Sequence, residues 1–196
     1  MAQKPKQNYS AKTAPLKDNC QTPPYAVDLI APYLRAYQAI WEPCSGEGLL
    51  TRRLREHGFA VCDTDLSSGE DFFAMSETFG AYEAIVTNPP FSLKYKFLAR
   101  CCELGVPFAL LMPADTLFAG ERGQPLIVNY GVEVVLPDRR INFKMPNGGW
   151  RGTAQFASAW FTRGLHIGAL LTFVEMQQWT GRRVEMWERQ GFDRLP

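Results

Sequence analysis

Short apolar runs alternate along this chain with stretches whose apolar residues recur at helical spacing. Ala39-Ile40-Trp41, the run from Tyr82 to Thr87 and the run from Val106 to Met112 are of the kind that fills a buried strand. The third is almost wholly apolar, ends at Pro113 and reads as a central parallel strand. Phe59 to Asp63, Val132 to Leu136 and Gln155 to Phe161 are read as further strands, the last of alternating character. Between them, Leu49, Leu50 and Leu54 mark a helix that His57-Gly58 would end. Leu93, Phe97 and Cys101 mark another, with Lys94, Lys96 and Arg100 on its other faces, and Pro125 opens a third. Ahead of the first strand, Thr22 can cap a helix that has Pro23 at its first position. Val27, Ile30, Ala31 and Leu34 then share one face, and Pro32 should kink or stop that helix.

Composition narrows the class. At 196 residues the chain suffices for one domain with a substantial core, and 46% hydrophobic with 21% charged residues is ordinary for a globular protein. A net charge of +1 gives no global signature of nucleic-acid binding, so any such surface must be local. The 5 cysteines (Cys20, Cys44, Cys62, Cys101, Cys102) have no CxxC spacing, and only His57 and His166 could join them around a metal. No metal site is therefore expected, and scattered thiols in odd number fit a reducing cytoplasm. The lysine-bearing start lacks the apolar core of a signal peptide, and no apolar stretch is long enough to span a bilayer.

Two turns carry candidate chemistry. Asn88-Pro89-Pro90-Phe91 follows a buried strand, and two prolines force the chain out of the sheet in a stiff extended turn. Asn88 would then stand at the carboxyl edge, where open α/β sheets bind ligands. An amino group on a planar base needs two acceptors for its hydrogens and a ring to stack on. Asn88 Oδ1, the Pro89 carbonyl and Phe91 supply those parts. The second turn, Glu42-Pro43-Cys44-Ser45-Gly46-Glu47-Gly48, joins a strand to a helix, and its glycines let the backbone approach a ligand. It is not GxGxxG, because Thr51 stands where the third glycine would be. A pyrophosphate cofactor is thereby disfavoured, while Glu42 suits a ligand carrying an ammonium and a sulfonium. Asp65 follows the second strand at the separation from Gly46 at which doubly wound folds place an acid for ribose hydroxyls, with Asp63 as its rival.

The NPPF tetrapeptide resembles the catalytic motif of class I S-adenosylmethionine-dependent amino-methyltransferases, and EPCSGEG resembles the cofactor motif of their adenine-N6 branch. The stretch that begins Arg139-Arg140-Ile141-Asn142-Phe143 and runs into the last strand looks like small phage-type DNA N6-adenine methyltransferases. The resemblance covers roughly residues 21–161. It implies a Rossmann-like fold with a mostly parallel seven-stranded sheet and helices on both faces. It implies S-adenosylmethionine as cofactor, held by Thr22, Pro23, Glu42, Pro43, Cys44, Gly46, Gly48, Asp65, Leu66, Asp71, Phe72 and Asn88. Within that set Thr22-Pro23 would close over the methionine end, Asp71 would accept from the adenine amino group, and Phe72 would cover the ring. Asn88, Pro89, Pro90 and Phe91 would be catalytic, and an adenine in DNA would be flipped out to reach them. RNA base methyltransferases share NPPF and protein-glutamine methyltransferases carry a close form, so RNA or protein substrates stay open. A catalytically dead fold that binds nucleic acid is the remaining alternative.

The segment 137–153 sets Arg139, Arg140, Lys144 and Arg151 among Phe143, Asn147 and Trp150, a pattern suited to phosphate and to an extruded base. A glycine-rich hairpin with solvated charges is the plainer reading. Residues 1–20 read as a flexible basic arm, residues 21–165 as the catalytic domain, and residues 166–196 as a helical extension. The role of Asp115, at the same sheet edge, is not legible from its position.

Overall fold

A computed structural model describes residues 18, 20–75, 82–118, 120–121, 123–144 and 156–176. Among these residues, seven strands are formed: β1 (Ala39–Glu42), β2 (Ala60–Asp63), β3 (Ala84–Thr87), β4 (Phe108–Pro113), β5 (Glu133–Pro137), β6 (Ser158–Arg163) and β7 (Leu171–Val174). They make one sheet in the order β2-β1-β3-β4-β6-β5-β7. β2, β1, β3 and β4 pair in parallel, β6 runs antiparallel to both β4 and β5, and β7 pairs in parallel with β5. After β1 the chain moves to β2 on one side and then returns to place β3 on the other. The crevice beyond the carboxyl ends of β1 and β3 is thus a topological switch point, where such sheets bind ligands.

Alternation along the strands builds two cores. Ile40, Ala84, Val86, Ala109, Leu111, Val135 and Trp160 face α1 (Pro24–Asp28) and α2 (Leu49–Glu56). Trp41, Ile85, Phe108, Leu110, Met112, Val134 and Phe161 face α3 (Lys94–Leu104) and α4 (Gln124–Tyr130). Helices therefore cover both faces, as expected.

Several elements depart from the sequence reading. Thr22 does not cap α1: the cap position is Pro23, at φ −70° and ψ 147°, and Pro24 opens the helix. A residue before proline is driven out of the helical region, so Pro23 cannot be helical while Pro24 follows it. The helix ends at Asp28, and Ala31–Leu34 is a separate 3-10 turn containing Pro32. β4 is central, but only its β3 neighbour is parallel. β6 begins at Ser158 and is buried along its length rather than alternating, because it lies inside the sheet, where both faces are covered. The expected helical extension instead begins with an edge strand: Leu171–Val174 adds β7 to the sheet, with Leu171 and Phe173 exposed. Residues 177–196 of that extension lie outside the described residues.

Asp28 ties α1 to α2. Its Oδ1 accepts from Arg53 Nε and contacts His57 Nε2, both at 2.7 Å. Burial would raise the Asp28 pKa, but the bonds from Arg53 and His57 outweigh it and the net shift is downward. A carboxyl whose folded pKa lies below its unfolded value of about 3.9 stabilises above that value, and the contribution disappears as pH falls through the folded pKa. Asp28→Asn is expected to lower the thermal midpoint at neutral pH. Thermal melts in acid should then show the gap to wild type closing as pH drops below about 4.

Candidate active site

The glycine turn is shaped from beneath by a buried acid. Glu42 ends β1 at 1% exposure, and its carboxyl accepts from Thr51 Oγ1 at 3.0 Å and from Thr87 Oγ1 at 3.4 Å. Burial pushes its pKa well above the usual carboxyl range, more than the two hydroxyls pull it down. Glu42 thus lies under the turn, hydrogen-bonded to the two threonines. Thr51 occupies the place of the third glycine of a dinucleotide turn, and its hydroxyl serves this buried acid. Pro43 is buried, and burial also raises the thiol of Cys44.

Asp65 closes the turn from outside. Its Oδ2 accepts from Gly46 N at 3.0 Å and its Oδ1 from Ser67 N at 2.8 Å. Asp63 instead pairs with Arg55 of α2, which decides between the two acids in favour of Asp65 at the turn. Gly46 has φ +52°, and a Cβ there would meet the Gln21 side-chain amide at 2.4 Å. Gly48 has φ +74° and open space around it. At these two positions a positive φ makes the turn favour glycine. Leu66, directly after Asp65, is exposed.

The segment before α1 crosses the same edge. Asn88 Nδ2 donates to the Cys20 carbonyl at 3.1 Å, and Ser92 N donates to Asp18 Oδ1 at 3.4 Å. Gln21 pairs backbone to backbone with Lys144, and its Oε1 accepts from Glu47 N at 2.9 Å. Lys144 Nζ reaches Glu47 Oε2 at 2.7 Å. Asp18 and Cys20 thus touch the segment 88–92, across the boundary drawn at residue 20. Thr22 and Pro23 are buried beside these contacts.

The Cys20 contact fixes which way the Asn88 amide points, because only its nitrogen can donate. Asn88 Oδ1 is left buried with no hydrogen-bond partner among the described residues. The Phe91 ring centre stands 5.9 Å from that of Phe143 and 5.5 Å from that of Phe156, and both meetings are edge to face. Asn88, Phe91, Phe143 and Phe156 all lie on the α1 side of the sheet, since Asn88 continues the parity of Ala84 and Val86. Phe156 carried no sequence signal beyond its place in a strand.

Phe72 is 3% exposed, stacked on Phe97 at 4.8 Å and tilted against Trp41 at 5.2 Å, so its faces are used in the core. The ring at the surface is its neighbour Phe73. Asp71 lies at the surface and accepts from Phe73 N at 3.0 Å. The basic segment is less free than its composition implies: Ile141 and Phe143 are buried, and Tyr25 Oη is hydrogen-bonded to the Asn142 backbone. Arg139 is held by Asp138 and the Met176 carbonyl, while Arg140 is exposed. Asn147, Trp150 and Arg151 lie outside the described residues. Asp115 pairs with Lys94 at 3.0 Å. Among the described residues no cluster of three His, Cys, Asp or Glu is placed to hold a metal, and no helix is long and apolar enough to cross a membrane.

Because the Glu42 pKa is raised, the folded chain holds a proton that the unfolded chain releases at the ordinary glutamate value of about 4.3. Stability must then fall as pH rises above that point. Glu42→Gln keeps an uncharged acceptor there and does not titrate. Its melting temperature relative to wild type is expected to climb steadily with pH; a gap that stays flat would mean that the carboxyl is ionised when folded.

No family model matches the chain, and no curated protein sequence matches it. Solved structures do. The modification subunit assigned to a type I restriction enzyme of Vibrio vulnificus superposes with TM-score 0.51 at 12% identity, covering 90% of this chain and 54% of its own. A protein assigned as an RNA methyltransferase from Pyrococcus horikoshii gives 0.49 at 12% identity over 80% of this chain and 91% of that one. The M protein of the type I restriction enzyme EcoKI gives 0.44 at 12% identity, with coverages of 83% and 50%. The chain spans about half the length of the two restriction-enzyme subunits. With the seven-stranded, mostly parallel sheet and helices on both faces, the Vibrio superposition fixes the architecture: this chain has the Rossmann-like fold of class I methyltransferases.

Proposed function

We propose that this protein transfers a methyl group from S-adenosylmethionine to the N6 amino group of adenine in DNA. The observation that carries the reading is Asn88 Oδ1: a buried acceptor without a partner, held in orientation by the Cys20 carbonyl at the switch point. A buried acceptor left unpaired costs roughly 1–3 kcal/mol, a cost that a donor arriving with a substrate would remove. An amino group on a planar base is such a donor.

The residues present fit the cofactor. The exposed face of the turn at Gly46 and Gly48, the Asp65 carboxylate with unused lone pairs, and the Leu66 and Phe73 side chains would hold a nucleoside. Thr22 and Pro23 would border its amino-acid end. Bound there, S-adenosylmethionine supplies a methyl carbon on a positively charged sulfur.

The chain's own contribution is orientation. Asn88 Oδ1 and the Pro89 carbonyl accept the two N–H groups of the amine, which draws its lone pair out of conjugation with the ring. Phe91, braced by Phe143 and Phe156, offers the base a flat apolar neighbour. No strong base is required, since the nitrogen's proton becomes acidic once the nitrogen has been alkylated. Arg140, Asn147, Trp150 and Arg151 would meet phosphate or an extruded base, while Arg139 and Lys144 are paired with Asp138 and Glu47.

Tritium transfer from labelled cofactor to DNA, RNA and a glutamine-bearing protein, compared side by side, tests the substrate class. DNA is expected to be labelled at N6-methyladenine, and label in RNA or protein alone would reject the reading. Asn88→Ala should cut turnover by at least about 100-fold while cofactor affinity stays within a factor of about two, the pattern of a lost transition-state contact. Near-normal turnover would sink the assignment. Arg140→Glu should weaken DNA binding and flatten its dependence on salt, read from titrations at several ionic strengths.

A further inference from the structure

A second buried polar atom without a partner lies on the same side of the sheet. Ser158 is 1% exposed, and its Oγ makes no hydrogen bond among the described residues. It opens β6 opposite Pro113, the last residue of β4, and so stands at the carboxyl edge. Side chains along a strand alternate, which puts Ser158 on the face shared by Phe156 before it and Trp160 after it. That is the α1 face, where the Phe156 ring meets Phe91 and where Asn88 stands. The register supports the juxtaposition: Thr87 pairs with Leu110 and Leu110 with Phe161. Ser158 lies three residues past that level, at the carboxyl edge and two strands from β3, and Phe156 on its face meets Phe91 ring to ring.

A core serine normally satisfies its hydroxyl, and alanine would fill this position without the penalty. A hydroxyl buried and unpaired beside an aromatic cluster is a group waiting for a partner. Trp160 is not that partner, because its Nε1 donates to the Ala26 carbonyl at 2.9 Å. Pro113, opposite, has no N–H to offer.

We infer that Ser158 is a specificity-determining residue of the base pocket, its hydroxyl donating to a ring nitrogen of the bound base while Asn88 Oδ1 accepts from the amino group. This rests on the reading of the site as one for an adenine. The two orphan atoms have complementary capacities, Asn88 Oδ1 accepting only and Ser158 Oγ able to donate. Adenine offers both an amino donor and ring-nitrogen acceptors, so the pair would favour it over a ring without an acceptor there.

The test has two arms on the full chain. In the ligand-free protein, Ser158→Ala is expected to raise the melting temperature, because an unsatisfied hydroxyl is removed from a buried position. A lower or unchanged value would mean that the hydroxyl already has a structural partner, such as a bound water, and would overturn the inference. In the second arm, DNA oligonucleotides carry adenine or its 1-deaza, 3-deaza or 7-deaza analogue at the methylated position. Wild type should lose about tenfold in kcat/KM on one analogue, the size of one hydrogen bond. Ser158→Ala should show that loss on adenine itself and no further loss on the analogue. Wild-type turnover of adenine by the variant, or losses that multiply, would refute the role of Ser158 while leaving the adenine reading intact. Failure of wild type to methylate any adenine oligonucleotide would instead remove the reading and the inference together.

Discussion

The hydrogen bond from Asn88 Nδ2 to the Cys20 carbonyl decides what the rest of the site can do. A carboxamide free to rotate presents either end to a ligand. With its nitrogen donating to a backbone carbonyl, the amide is held in one orientation, and burial keeps water from its oxygen. That constraint depends on a segment far away in sequence. Cys20 is kept over the turn because Gln21 bridges to Lys144, caps Glu47 N with its side chain, and packs against Gly46. The glycine turn, the residues before α1 and the segment after β5 therefore meet in one place. The Cys20 carbonyl and the backbone pairing of Gln21 with Lys144 are contacts that a side-chain pattern does not record.

Two acids serve the glycine turn in opposite ways, and burial separates them. Glu42 is enclosed, pushed toward its neutral form and satisfied by Thr51 and Thr87. It links the ends of β1 and β3 to the first turn of α2, and so sets the width of the crevice. Asp65 stays partly exposed, where it accepts from Gly46 N and Ser67 N.

The aromatic residues divide in the same manner. Trp41, Phe72 and Phe97 form one cluster on the α3 face, as core. Phe91, Phe143 and Phe156 form a second group on the α1 face, at the sheet edge beside Asn88. Strand parity assigns each ring to its side. The same parity carries Ser158 to the edge group, where its hydroxyl is left without a partner. A dense core elsewhere offsets the cost of keeping two polar atoms unsatisfied, and such local deficits are common where a ligand is to be met.

By itself the sequence determined the succession of strands and helices as far as β6, the two turns at the carboxyl edge, a pair of acids at and just after the end of β2 and the double proline that takes the chain out of the sheet. These follow from local rules: apolar runs between breakers, glycines where φ must be positive, and prolines that end a strand. Only the tertiary structure set Asp65 against Gly46 and Asp63 against Arg55 of α2. It moved Glu42 beneath the turn, moved Phe72 into the core and joined Asp18 and Cys20 to the site, since burial is a property of neighbours that come from other parts of the chain. It also turned Leu171–Val174 into an edge strand, because pairing with β5 satisfies backbone groups that no periodicity within the segment could reveal.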